Sequence, residues 1–341
     1  MKDKLYLFIG ILLLSAQLTF AQTEAGYKVQ HTFHIGGSGG WDYISVNPEF
    51  KRIYVSHSTL VNIIDENTGD SVGVIPNTTG VHGIAFVNSI GKGFTTNGKL
   101  NSVTVFDLKT NKIIEQIKTG AGPDAIIYDE FSKKVIVCNG KGKELTIIDP
   151  STDKVIDSIA LGGKPETPAT DNAGNIYVNI EDKNIVVHID TKTFKIKDSW
   201  PVGKGDSPSG LAIDVKYKRL FIGCGNKLMV VMNAENGNVI TELPIGEGCD
   251  GTDFDPGTGN AFSSNGEGTI TIIHEDNPSA FKVVANIPTK KGARTSTIDT
   301  QTHQLFLPVA NFGDTPPVTE TVPHPRPKVI DGTFEILVVG K

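Results

Sequence analysis

Apolar and β-branched residues fall in short bursts along this chain, separated by polar turns rich in Asp, Asn, Gly and Pro. Such bursts read as strands. An amphipathic helix needs apolar positions three and four apart over about ten residues or more. No segment beyond residue 21 carries that pattern.

Aligning the bursts reveals a repeat. The pairs Trp41-Asp42, Val81-His82, Pro123-Asp124, Pro165-Glu166, Pro208-Ser209, Cys249-Asp250 and Ala293-Arg294 each open a first burst, and their second members lie 40, 42, 42, 43, 41 and 44 residues apart. A second burst follows each opening, at 52–57, 93–97, 135–139, 176–180, 220–224, 261–265 and 305–309. A third comes at 61–65, 103–107, 145–149, 186–190, 229–233 and 270–274, and a fourth follows a polar turn, as at 154–159. Four short strands on a period of about 42 residues are the mark of a propeller blade. Seven such units predict an all-β, seven-bladed β-propeller of four-stranded antiparallel blades.

Two details support this reading. The residue after each opening pair is small (Gly83, Ala125, Thr167, Gly210, Gly251, Thr295), as strands crowded around an axis require; Tyr43 is the exception. The last unit ends with its third strand at 334–339, while a spare strand stands at 27–35. Pairing the two chain ends completes the last blade and removes an open edge.

The recurring strands resemble those of the YVTN-repeat, or YncE-like, family of secreted seven-bladed propellers. The residues that carry the likeness are Ile53-Tyr54-Val55-Ser56, Ile176-Tyr177-Val178-Asn179 and third strands such as 103–107, over essentially all of 27–341. The resemblance implies the fold. It leaves function open, because such propellers include enzymes, redox partners and binding scaffolds.

The N-terminus has another character. Lys2 and Lys4 precede an apolar run at 5–14, and small residues lead to Ala21. This is the form of a secretory signal peptide, too short to span a bilayer, which takes about 20 residues. The expected organisation is a leader at 1–21 and a single propeller at 22–341, exported to a periplasmic or extracellular space. The 32 Lys and Arg against 38 Asp and Glu give a net charge of −6. That argues against nucleic acid or an anionic membrane surface as partner. A monomer without membrane insertion is expected.

Candidate chemistry gathers where first strands begin and second strands end, because both emerge on one face. The openings place Asp42, His82, Asp124, Glu166, Ser209, Asp250 and Arg294 around one mouth. Second-strand ends add His57, Asn97, Asn139 and Asn265. Two carboxylates about 8 Å apart repel by about 2 kcal/mol at an effective dielectric of about 20. The ring therefore calls for hydration, protonation or a compensating cation. Asp42, Asp124, Glu166 and Asp250 are candidate ligands for a divalent cation such as calcium. His57 and His82, on adjacent blades, are the candidate proton-moving or metal-binding pair.

Three functions fit. The first is binding of a polar small molecule, glycan or peptide at the mouth, with or without a divalent cation. The second is a metal-assisted hydrolase, lactonase or lyase using the same residues. The third is a non-catalytic protein-interaction scaffold.

Two further features stand out. Cys224 and Cys249 occupy related positions on adjacent blades and are a candidate disulfide, with two free buried thiols as the alternative. The last unit carries an insert at 310–332, rich in Pro and holding His324, Arg326 and Lys328. It leaves on the ring's face and is expected to bring positive charge over the acidic mouth.

Overall fold

A computed structural model describes residues 26–317, 325 and 327–341. Seven four-stranded antiparallel sheets form seven blades, as the repeat predicts. We letter the strands A to D from the axis outward. Blade one runs Trp41–Asn47, Arg52–His57, Leu60–Asp65 and Ser71–Ile75, and the next five repeat this order. The leader expected at 1–21 lies outside the described residues. Among the described residues no helix is long and apolar enough to cross a membrane.

Burial follows strand position. B strands are buried on both faces because each blade is covered by a blade on either side; Arg52–His57 and Arg219–Cys224 expose only their first residue. D strands such as Lys154–Ala160 face solvent along most of their length. The third residue of the B strand is a large anchor in every blade: Tyr54, Phe94, Ile136, Tyr177, Phe221, Phe262 and Phe306, all buried. Each contributes about 1.5–3 kcal/mol by leaving water.

The recurring acid at the end of C strands is a turn device. Asp65 accepts the backbone N–H of Asn67 and Thr68, Asp107 those of Lys109 and Thr110, and Asp190 those of Lys192 and Thr193. These are Asx turns, in which a short carboxylate holds the chain reversal.

The ring closes as the sequence implies. Blade seven is ordered Lys28–His34, Glu335–Gly340, Gln304–Val309, Thr297–Asp299 from outside to axis. The N-terminal strand is thus the outermost strand of the last blade. Tyr27 beside it packs edge-on against Phe262 of blade six, with ring centroids 5.4 Å apart. The insert of blade seven is held at its stems: Phe312 and Val329 form an antiparallel bridge, Gly313 N–H donates to Lys328 and Ile330 N–H to Asn311. Residues 318–324 and 326, including His324 and Arg326, lie outside the described residues.

Candidate functional site

One backbone irregularity builds the mouth. In blade one the A–B register pairs Trp41 with His57 and then Ile44 with Val55, so Asp42 and Tyr43 together oppose Ser56. The same shift follows Val81, Pro123, Pro165 and Pro208, and a shorter one follows Cys249. Each is a β-bulge, which frees backbone groups and re-aims the extra side chain. The re-aimed residues are Asp42, His82, Asp124, Glu166, Ser209 and Asp250, around the channel mouth.

Short polar side chains satisfy the freed backbone. Ser56 Oγ accepts from Asp42 N–H at 2.9 Å and donates to Tyr43 O at 3.0 Å. Thr96 Oγ1 accepts from Gly83 N–H and donates to Asp124 O, at 2.8 and 2.5 Å. Thr295 Oγ1 donates to Asp42 O at 2.6 Å, and Asn179 Nδ2 to the carbonyls of Ser209 and Gly210. Buried backbone groups need such partners, and these also fix the ring residues in place.

The ring side chains form a nearly continuous ionic chain. Ser209 Oγ donates to Asp250 Oδ1 at 2.6 Å. Arg294 bridges Asp250 at 2.7 Å and Asp42 at 3.2 Å. His82 Nδ1 lies 2.5 Å from Asp42 Oδ2 and 3.6 Å from Asp124 Oδ1. Lys164, which the sequence reading passed over, pairs with Glu166 and Glu181. Its position just before the Pro165-Glu166 opening was the available signal. Among the described residues the Asp124 carboxylate receives no hydrogen bond.

Burial opposes charge throughout this ring. It depresses the His82 imidazole, but the Asp42 hydrogen bond and the Asp124 charge outweigh it, so its pKa stands above the ordinary histidine value. Burial, together with the charges of Asp42 and Asp250, raises Asp124 against the pull of His82 and Lys164. Burial and Asp124 likewise raise Glu166 despite Lys164. Desolvation lowers Arg294, and Asp250 and Asp42 more than restore it.

Beneath the ring lies an axial channel of about 240 Å³, lined by residues of the A strands, Tyr43 among them, and by Thr295 and Ser296. Tyr43 starts in blade one and packs against the core of blades three and four. Burial and then the charges of Asp124, Glu166, Asp42 and Asp250 push its hydroxyl well above the usual tyrosine range. Deeper in, Asp253 takes a 2.6 Å hydrogen bond from Ser296, and burial raises its pKa to about 6.

Several sequence expectations are corrected. His57 does not join His82. It is 5% exposed, bonds Asn62 through Nδ1 at 2.8 Å and lies 4.4 Å from the Phe334 ring. As an end residue of the B strand it turns into the seam with blade seven, whereas His82 sits on a bulge and turns to the mouth. Asn97, Asn139 and Asn265 are fully buried and donate to C-strand hydroxyls: Ser102 and Thr104, Thr146, and Thr269 and Thr271. Each ties its B strand to the C strand of the same blade and, fully buried, does not reach the mouth.

Cys224 and Cys249 are free buried thiols, as is Cys138. Alternation along the strand separates the expected pair. Cys249 Sγ lies against Gly223 and belongs to the core between blades five and six; Cys224, one residue on, points to Gly205 and the core between blades four and five. A one-residue offset puts two side chains on opposite faces of a sheet.

A larger cavity of about 920 Å³ opens beside the ring, between blades one, six and seven and the insert stems. Trp41, Phe312, Pro327 and Val329 supply apolar lining; Lys291, Arg294, Asp250 and Thr315 supply polar groups. Gly40, Gly248, Gly266, Gly292 and Gly313 keep its walls bare. Phe312 tilts against Trp41 at 5.8 Å, and Trp41 stacks on Phe334 at 5.6 Å. Only the insert's position on this face was legible in the sequence; Phe312 and Lys291 carry no repeat signature.

Comparison with known proteins supports the fold. The structure is similar to that of a chain of Kuenenia stuttgartiensis hydrazine synthase, with a TM-score of 0.72 and 15% identity, over 79% of this chain and 92% of that one. Likeness at that identity is a likeness of fold. No protein-family model and no curated protein matches the sequence.

Proposed function

We propose that the chain is an exported, YVTN-repeat-type propeller that binds a polar small molecule in the cavity beside the channel mouth. The carrying observation is the cavity itself, about 920 Å³ in volume and joined to the ring through Arg294 and Asp250. Binding sites are commonly concave, largely apolar and of about 300–1,000 Å³, with a few fixed polar groups. Trp41 and Phe312 offer an aromatic wall, and Lys291 has no carboxylate partner among the described residues. Arg294 is already shared by Asp42 and Asp250 and therefore stands rigid. A ligand with an apolar ring face and a hydroxylated or acidic edge, as sugars and sugar acids have, matches this lining. The leader-like 1–21 supports an exported setting, where such molecules are met.

The test is a thermal-shift and calorimetric screen of neutral and acidic sugars against the parent, Phe312→Ala and Lys291→Ala. A hit is expected to lose about tenfold or more in affinity in each variant, since losing one good contact costs about 1.4 kcal/mol or more. A hit that both variants bind like the parent refutes this cavity as the site.

A further inference from the structure

We infer that Asp42, His82 and Asp124 form a divalent transition-metal site at the channel mouth. The inference stands apart from the cavity reading, since neither Phe312 nor Lys291 takes part. Three side chains from three successive blades bring one nitrogen and two carboxylate oxygens within 4.8 Å of one another. Two ligands on a tetrahedral zinc sit about 3.3 Å apart, given bonds of about 2.0 Å. The 3.6 Å between His82 Nδ1 and Asp124 Oδ1 is close to that spacing, while the 2.5 Å between His82 and Asp42 must widen. In doing so the ion replaces the proton that those two residues share, and that proton leaves to solvent.

The surroundings favour this trio over the rest of the ring. Asp250 is occupied by Arg294 and Ser209, and Glu166 by Lys164. Asp124 alone among these carboxylates receives no hydrogen bond among the described residues. Arg294 Nη2 binds Asp42 Oδ1 and leaves Oδ2 toward His82. The bulge clamps of Ser56, Thr96 and Thr295 hold the backbone of the two aspartates before any ion arrives. A site fixed in advance spends less binding energy on ordering its ligands.

Charge agrees. With His82 as a neutral ligand, Asp42, Asp124 and Asp250 face Arg294 alone, Lys164 being taken up by Glu166 and Glu181, which leaves two negative charges for a dication to offset. The nitrogen ligand also sets the class of metal. Calcium takes oxygen donors only, whereas one imidazole with two carboxylates suits Zn²⁺ or Mn²⁺. Three protein ligands leave positions open to the mouth for water or a further ligand.

The test is calorimetric titration of the chelator-stripped full-length protein with Zn²⁺, Mn²⁺ and Ca²⁺, repeated on Asp124→Asn, His82→Gln and Glu166→Gln. Circular dichroism checks that each variant is folded. Expected is one equivalent of Zn²⁺ or Mn²⁺, bound more tightly than Ca²⁺. Asp124→Asn and His82→Gln should weaken it by about a hundredfold or more, beyond the 10–100-fold typical of a lost outer-shell partner. Glu166→Gln should change it by less than about threefold. Should His82→Gln not fold, Asp124→Asn, which keeps the shape of the carboxyl, decides alone. Absence of stoichiometric binding, equal affinity for Ca²⁺, or binding that survives Asp124→Asn overturns the assignment. In the last case the ion belongs elsewhere, as at the exposed His31 and His34.

Discussion

Two residues that no repeat marks carry an unusual burden. Glu66 and Glu275 are buried at the ends of C strands, each facing an A-strand aspartate of the preceding blade, Asp299 and Asp214. Hydrogen bonds from Gln301 N–H and Thr302 Oγ1 help hold the Asp299 carboxyl below the usual carboxylate range, and Asp214 accepts the N–H of Lys216 and Tyr217. Among the described residues, Glu66 Oε2 and both oxygens of Glu275 have no donor. Burial and then the facing aspartate raise Glu66 to about 7 against Lys51, and Glu275 to about 8 against Arg219 and Lys216. Unfolded glutamate titrates near about 4.3. Between that value and the folded one the native state binds more protons, so stability falls as pH rises. The contribution is most favourable below about pH 4 and is lost by about pH 8. The double variant Glu66→Gln/Glu275→Gln supplies the missing donors permanently. Its Tm should match the parent near pH 4.5 and exceed it by roughly 2–5 °C at pH 8.5. Equal pH profiles in scanning calorimetry would count against shared-proton pairs.

The bulged A strand is the element on which both fold and site depend. It serves two ends at once, packing seven strands around an axis and turning one side chain of each blade to the mouth. Gly83 shows how tight the packing is: a Cβ there would meet Asp124 O at 2.9 Å and Ile126 N at 3.0 Å. Backbone cannot yield as a side chain can. Gly83→Ala should cost about 1–3 kcal/mol by overpacking, read as a lower denaturation midpoint. Gly40, with no atom of the described residues within 4 Å of its would-be Cβ and no left-handed backbone, is the control. Gly40→Ala should stay within about 0.5 kcal/mol of the parent. The expectation of small residues at this position came from crowding alone, and the crowding is there. Tyr43 is the exception because the channel itself accommodates a large ring that reaches across to blades three and four.

For the whole molecule, closure is the decisive contact. Lys28–His34 pairs with Glu335–Gly340 and joins residues about 300 positions apart in sequence. A contact of that range carries a large loop-closure cost and slows folding. Deleting residues 22–35 should leave Glu335–Gly340 as an open edge and promote aggregation. Size-exclusion chromatography with light scattering reads the result; a monomer of unchanged Tm would show that closure lies elsewhere.

Period, strand count and closure were legible in the sequence because each blade repeats the same local problem: short apolar strands, turn acids and one large anchor per B strand. The ring was legible in part, since the opening pairs place Asp42, His82, Asp124, Glu166, Asp250 and Arg294 by register alone. What a register cannot give is direction. The bulges turn His82 to the mouth, whereas ordinary alternation turns His57, Asn97, Asn139 and Asn265 into the blades and sets Cys224 and Cys249 on opposite faces. Tyr43 and the Phe312–Lys291 cavity depend on contacts across the axis or between blades, and Lys164 on the meeting of A- and B-strand ends within blade four. Sequence spacing fixes distance along a strand, and only packing of one blade on the next decides which side chains meet.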